Sequence, residues 1–129
     1  MVIPDSIKDK KILIVDDVPS MLSIMKAFLK DVGFFHLATA NGGKEALTKI
    51  QRIQFDLIIC DWNMPGMSGI DILKVIKADD TLQSTAFMMV TATSELEKVK
   101  EAVASGIDGY IVKPFQANTL YEKIITICK

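Results

Sequence analysis

The stretch "FDLIICDWNMPG", residues 55–66, opens on an apolar run and closes on a turn. Phe55 to Ile59 reads as a fully buried strand, and where the run stops come a carboxylate, Asp61, a lone tryptophan, Trp62, and an amide, Asn63. Met64-Pro65-Gly66 then turns the chain, because proline sets its own backbone angle and glycine accepts angles that other residues avoid. Pro65 taken alone also reads as an ordinary loop punctuator.

The same kind of run recurs on either side, as "KILIV" at 11–15, "FHLAT" at 35–39, "AFMMV" at 86–90 and "GYIV" at 109–112. Segments of helical period separate the runs. Between 20 and 32, Met21, Met25, Phe28 and Val32 form a stripe beside Leu22 and Leu29, with Pro19 before it and Gly33 after it. Ala46, Leu47, Ile50 and Ile53 share a face over 43–53, as do Ile70, Leu73 and Ile76 over 68–77. Ser68 with Asp71, and Ser94 with Glu97, have capping-box spacing, and Gly106 stands at the C-cap of the segment carrying Leu96, Val99 and Val103. A last helix is expected over 116–127, with Leu120, Ile124 and Ile127 inward. Five strands alternating with helices imply an α/β fold with a parallel sheet covered on both faces.

Composition narrows the function classes. A chain of 129 residues, half of them hydrophobic, fits one domain over 1–129, with residues 1–9 as an N-terminal extension and no output domain. Fifteen basic against sixteen acidic residues leave a formal net charge of -1, which makes no case for nucleic acid or an acidic membrane surface. No apolar run has membrane-spanning length and the N-terminus lacks the pattern of a signal peptide, so a cytoplasmic protein without membrane insertion is expected. Cys60 and Cys128 have neither metal-ligand spacing nor disulfide density and read as apolar residues. His36, the only histidine, falls in the second strand, where an edge or structural role fits better than phosphate donation. The seven methionines read as gap-filling core.

Open parallel sheets bind ligands outside the carboxyl ends of their strands. There stand Asp16 and Asp17 after the first strand, Asp61 after the third, Thr91 after the fourth, and Lys113 with Pro114 after the fifth. Singly these have ordinary readings: Asp17 as a helix cap, Thr91 as a turn cap, Lys113 as a solvated lysine. Jointly they do not, because right-handed crossovers set the first and third strands side by side and crowd three carboxylates together. Like charges there raise each other's pKa unless a cation is present, and Mg2+, which needs only one or two carboxylates, a carbonyl and several waters, answers the repulsion. One carboxylate is then free to attack phosphorus and form an acyl phosphate, while a lysine charge and a threonine hydroxyl suit the other phosphoryl oxygens.

"ILIVDD", "DWNMPGMSG", "VTA" and "GYIVKPF" together resemble the motifs of response-regulator receiver domains, the single-domain chemotaxis regulators in particular, from about Lys10 to the end. That resemblance implies a flavodoxin-like sheet of strand order 2-1-3-4-5. It implies Asp61 as phosphoacceptor, and Mg2+ held by Asp16, Asp17, Asp61 and the backbone carbonyl of Asn63. It implies a cis Lys113–Pro114 bond, a phosphoryl contact from Lys113, and a switch made by Thr91 and Tyr110. The implied partners are a CheA-like sensor histidine kinase, a flagellar switch protein and a phosphatase. The target would dock on a monomer at Leu96, Val99, Val103, Tyr110 and Lys123. Glu95 and Leu96 stand where chemotaxis relatives carry adjacent lysines, and Thr93 where they carry an acid, so the target and the phosphate lifetime do not carry over. Non-motor targets and a phosphate-sink role remain open. An aspartate-nucleophile phosphatase would want an acid where Asn63 stands, and a flavodoxin would want Ser, Thr and Gly where "DDVPS" stands.

Overall fold

The computed structural model describes residues 3–92 and 96–128. Thr93, Ser94 and Glu95, and with Ser94 its expected capping box, lie outside the described residues, as does the side chain of Leu96. In chain order the elements are α1 (Asp5–Lys8), β1 (Lys11–Val15), α2 (Pro19–Asp31), β2 (His36–Ala40), α3 (Gly43–Arg52), β3 (Leu57–Asp61), α4 (Gly69–Ala78), a 3-10 turn (Asp80–Leu82), β4 (Ala86–Ala92), α5 (Leu96–Ala104), β5 (Gly109–Lys113) and α6 (Ala117–Cys128).

The strands form one sheet in the order β2-β1-β3-β4-β5, and every pairing is parallel. This is the topology the sequence and its resemblance imply. Alternation along the strands divides the core in two. Leu13, Val15, Ile58, Cys60, Phe87 and Met89 face α3, α4 and α5, where Ala46, Ile50, Leu73, Ile76 and Ala102 meet them. Ile12, Ile14, Leu57, Ile59, Met88 and Val90 face α2 and α6, against Met25, Leu29, Leu120 and Ile124. Each such side chain contributes about 1.5–3 kcal/mol on leaving water, so the two layers hold the sheet from both sides.

Helix ends follow the local chemistry. The Asp71 carboxylate accepts the Ser68 backbone N–H at 3.0 Å and the Ser68 hydroxyl at 3.1 Å, starting α4 as its spacing predicts. Gly33 (φ +112) and Gly106 (φ +100) stop α2 and α5 in the left-handed conformation. Behind them Phe34 N–H reaches the Leu29 carbonyl and Ile107 N–H reaches the Ala102 carbonyl, which satisfies helix carbonyls that would otherwise be left over.

Ile3 and Ile7, in the described part of the N-terminal segment, are buried beside Ile12 and Ile124. Three expectations need correction. Ile53 is 41 % exposed, since α3 ends at Arg52 and Ile53 is already extended. Val99 is buried with Ala102 against the core while Val103, one residue on, is 58 % exposed, so Val99 does not line a docking surface. Strands β3, β4 and β5 run past their apolar stretches: Asp61 pairs with Val90, and Ala92 with Lys113. Backbone ladders do not depend on side-chain polarity, so the strands carry Asp61, Thr91 and Lys113 within them.

Candidate functional site

At the carboxyl end of β1, Asp16 is fully buried and its Oδ1 accepts the Val18 N–H at 2.9 Å, which turns the chain towards α2. Its Oδ2 receives Lys113 Nζ at 3.2 Å from the end of β5. The same ammonium stands 3.6 Å from Asp61 Oδ1. Oxygens of Asp16, Asp17 and Asp61 all lie within 4.8 Å of one another. Three carboxylates therefore cluster, two of them on one lysine, because β1 and β3 are neighbours in register and Lys113 reaches across from β5 at the far edge.

The arrangement is electrostatically unfavourable as it stands. The Asp61 carboxyl is raised to about 6: burial pushes it up most, Lys113 pulls it back, Asp16 and Asp17 push it up, and a hydrogen bond from the Asn63 backbone pulls it down. A donor set made only of carboxylate oxygens suits a hard divalent cation, whose charge relieves the repulsion between them. Burial, helped by Asp61 and Asp16, pushes the Cys60 thiol up as well, which keeps the neighbouring cysteine protonated and unreactive.

Thr91 is buried at the end of β4, with its hydroxyl 3.3 Å from the Ala92 carbonyl, a bond weak enough to exchange for a better acceptor. The Lys113–Pro114 peptide bond is cis. Tyr110 lies further from the acids, 36 % exposed on β5, with Lys123 Nζ 5.7 Å from its ring centroid. A groove of about 390 Å³ runs from Tyr110 past Pro114 and Phe115 to Lys123. Asn63 is exposed, and Met64 and Trp62 on either side of it are buried. Gly66 turns the loop at φ +78.

The sequence reading passed over two glycines. A Cβ on Gly69 would lie 2.8 Å from the Asp61 carbonyl oxygen and 3.1 Å from Trp62 Cα, so α4 starts directly against the backbone that carries Asp61. A Cβ on Gly43 would lie 2.7 Å from Met67 Cβ. Both depend on contact between separate elements, and no local pattern marks such a contact.

A family model described as "Response regulator receiver domain" matches residues 12–125. The chain is 48 % identical over 117 residues to chemotaxis protein CheY-3 of Vibrio cholerae serotype O1, which spans 91 % of this chain and 90 % of that one. It is 46 % identical over 114 residues to chemotaxis protein CheY of Pseudomonas aeruginosa, spanning 88 % and 92 %. Among solved structures, chemotaxis response regulator CheY4 of Vibrio cholerae superposes with a TM-score of 0.85 at 36 % identity, covering 92 % of this chain and 98 % of the other.

Proposed function

We propose, from the premise that the chain belongs to the response regulator receiver family, that it takes a phosphoryl group on Asp61 and thereby changes its affinity for a target protein. The observation that carries this reading is the clustering of Asp16, Asp17 and Asp61, three carboxylates within 4.8 Å of one another, two of which, Asp16 and Asp61, pair with the ammonium of Lys113. A purely structural site would not gather like charges in this way. Members of the family are signalling proteins rather than turnover enzymes, so the reaction is one the chain performs on itself.

Asp16, Asp17, Asp61 and the Asn63 carbonyl would hold Mg2+. When bound, the ion neutralises charge on the carboxylates and on phosphoryl oxygens. The protein's own residues do the rest. An ionised Asp61 oxygen attacks phosphorus; the new O–P bond forms as the bond to the donor, a histidine nitrogen of a CheA-like kinase, breaks, and the electron pair leaves on that nitrogen. With its pKa near 6, Asp61 is mostly ionised at neutral pH even without a metal. Lys113 exchanges its carboxylate partners for a phosphoryl oxygen, and the Thr91 hydroxyl leaves the Ala92 carbonyl for another.

The phosphoryl group brings close to two negative charges, and a few charge-assisted hydrogen bonds are enough to shift a two-state surface. That surface is Tyr110 and Lys123, which border the groove, together with Leu96 and Val103 of α5. The names of the relatives support a chemotaxis role; a flagellar switch protein as target, a phosphatase that removes the phosphate, and a cytoplasmic monomer are further parts of this proposal.

Trp62 supplies the test, being the only tryptophan and next to Asp61. Adding Mg2+ and then acetyl phosphate is expected to change its fluorescence in two steps, with an intact-mass gain of one phosphoryl group. In Asp61→Asn the second step and the mass gain vanish. A wild-type chain with no mass gain, or an Asp61→Asn chain that still gains it, sinks the reading.

A further inference from the structure

The loop from Trp62 to Ser68 joins β3 to α4 and closes on itself, with Gly69 N–H donating to the Trp62 carbonyl at 2.9 Å. Its first arm is anchored by buried Trp62 and Met64 on either side of exposed Asn63, whose backbone hydrogen-bonds the Asp61 carboxylate. Gly66 at φ +78 reverses the chain, and the second arm is held by half-buried Met67. Met67 rests on Gly43, the first residue of α3. A Cβ built on Gly43 would meet Met67 Cβ, Cγ and Sδ at 2.7, 2.8 and 2.9 Å. Gly43 therefore serves by leaving space, not by backbone freedom, since its φ is not positive.

We propose that Met67, seated on Gly43, is a positioning residue for the Asn63 backbone and, through it, for phosphoryl uptake at Asp61; the second half of this statement rests on the function proposed above. The contact ties the loop to α3, an element that gives the site no reacting group. The two arms are short and joined by one tight turn, so displacing Met67 moves the arm that carries Asn63. A groove of about 520 Å³ beside the contact, bordered by Gly42, Gly43, Leu47, Pro65 and Met67, gives a displaced methionine somewhere to go. An added methyl at Gly43 is thus relieved by moving the loop and leaves the sheet intact. A displacement on the ångström scale at a site that must hold a reacting geometry costs on the order of tenfold or more in rate.

Two variants keep structural damage and misplacement apart. Gly43→Ala pushes Met67 off its seat, and Met67→Ala removes the seated atoms beyond Cβ without a clash. Nitrogen-15 NMR of the metal-free proteins is expected to move the Asn63 amide resonance in both. Acetyl phosphate uptake per folded molecule is expected to fall about tenfold in Gly43→Ala and less in Met67→Ala. Combining Gly43→Ala with Met67→Gly, which vacates the space the methyl needs, is expected to return the rate to that of Met67→Gly alone. An Asn63 amide that stays in place in both variants, with uptake at the wild-type rate, overturns the positioning role even if the melting temperature falls. A moved Asn63 amide in a protein whose wild type takes up no phosphoryl group upholds the positioning and sinks the function it rests on.

Discussion

Aspartates stand at both ends of the sheet, and the two ends treat them differently. At the amino end, Asp56 Oδ2 accepts the Lys11 N–H at 2.8 Å while the Asp56 N–H donates to the Lys11 carbonyl at 2.8 Å. Asp108 does the same for β4: its Oδ2 accepts the Phe87 N–H at 2.8 Å and its N–H donates to the Phe87 carbonyl at 2.9 Å. Each of these carboxylates closes the start of one strand with a reciprocal pair of bonds. At the carboxyl end, Asp16, Asp17 and Asp61 repel one another, and only Asp16 and Asp61 share Lys113. One residue type thus stabilises the fold at one end and stores unfavourable charge at the other, and the stored charge is what a cation and a phosphoryl group can use.

The sharpest way to break this contrast is to remove the shared cation. Lys113→Met leaves the fully buried Asp16 and the neighbouring Asp61 without their counter-charge, and the expected loss is about 3 kcal/mol, the low end for a broken buried pair because Lys113 keeps 24 % of its exposure. Urea unfolding in metal-free buffer at neutral pH measures it. Adding Asp16→Asn to the same chain should recover much of the loss. A single variant as stable as the wild type would mean the carboxyl end is no more strained than the amino end.

A smaller and graded effect is expected with pH. Folded Asp61 keeps its proton up to about pH 6, against 3.8 for an ordinary aspartate. Between those values the folded form binds more protons than the unfolded chain. This group's contribution is therefore complete below about pH 4 and is lost as pH rises through about 6. Metal-free wild type should gain more on acidification from pH 6.5 to 4.5 than Asp61→Asn, which has no group to titrate there. Urea midpoints across the range check it, and parallel curves for the two proteins would place the strain elsewhere.

These contrasts explain what a reader of the sequence could and could not see. The five apolar runs and their helical partners were legible because core alternation leaves a strong one-dimensional pattern, and the site residues because strand ends concentrate polar groups. Where the strands stopped was less legible: Asp61, Thr91 and Lys113 are strand residues because backbone pairing continues after the side chains turn polar. Val99 was misplaced because a stripe drawn through Val99 and Val103 runs along the edge of the buried face, and contact with the sheet decides which side turns inward. The burial of Ile3 and Ile7 was not legible because a four-residue helix and the residues before it carry too little periodicity to announce that they pack. Gly43 and Gly69 were silent because their neighbours are distant in sequence.

Asp56 and Asp108 were overlooked for the opposite reason: a well-satisfied carboxylate in a turn looks like any loop residue. Their role gives the smallest effect and the clearest sign. In Asp108→Asn the amide oxygen still accepts the Phe87 N–H, so only the charge assistance is lost, and an exposed residue makes that loss small, about 0.5 kcal/mol. The substitution of the same residue type at the other end, Asp61→Asn, removes one of three mutually repelling charges and should stabilise the metal-free protein at neutral pH. Chemical identity is constant across the pair, so opposite shifts in the urea midpoint measure the two environments directly. If both variants shift the same way, the division of the sheet into a satisfied end and a strained end fails, and the cluster at Asp61 has no stored charge for a cation to relieve.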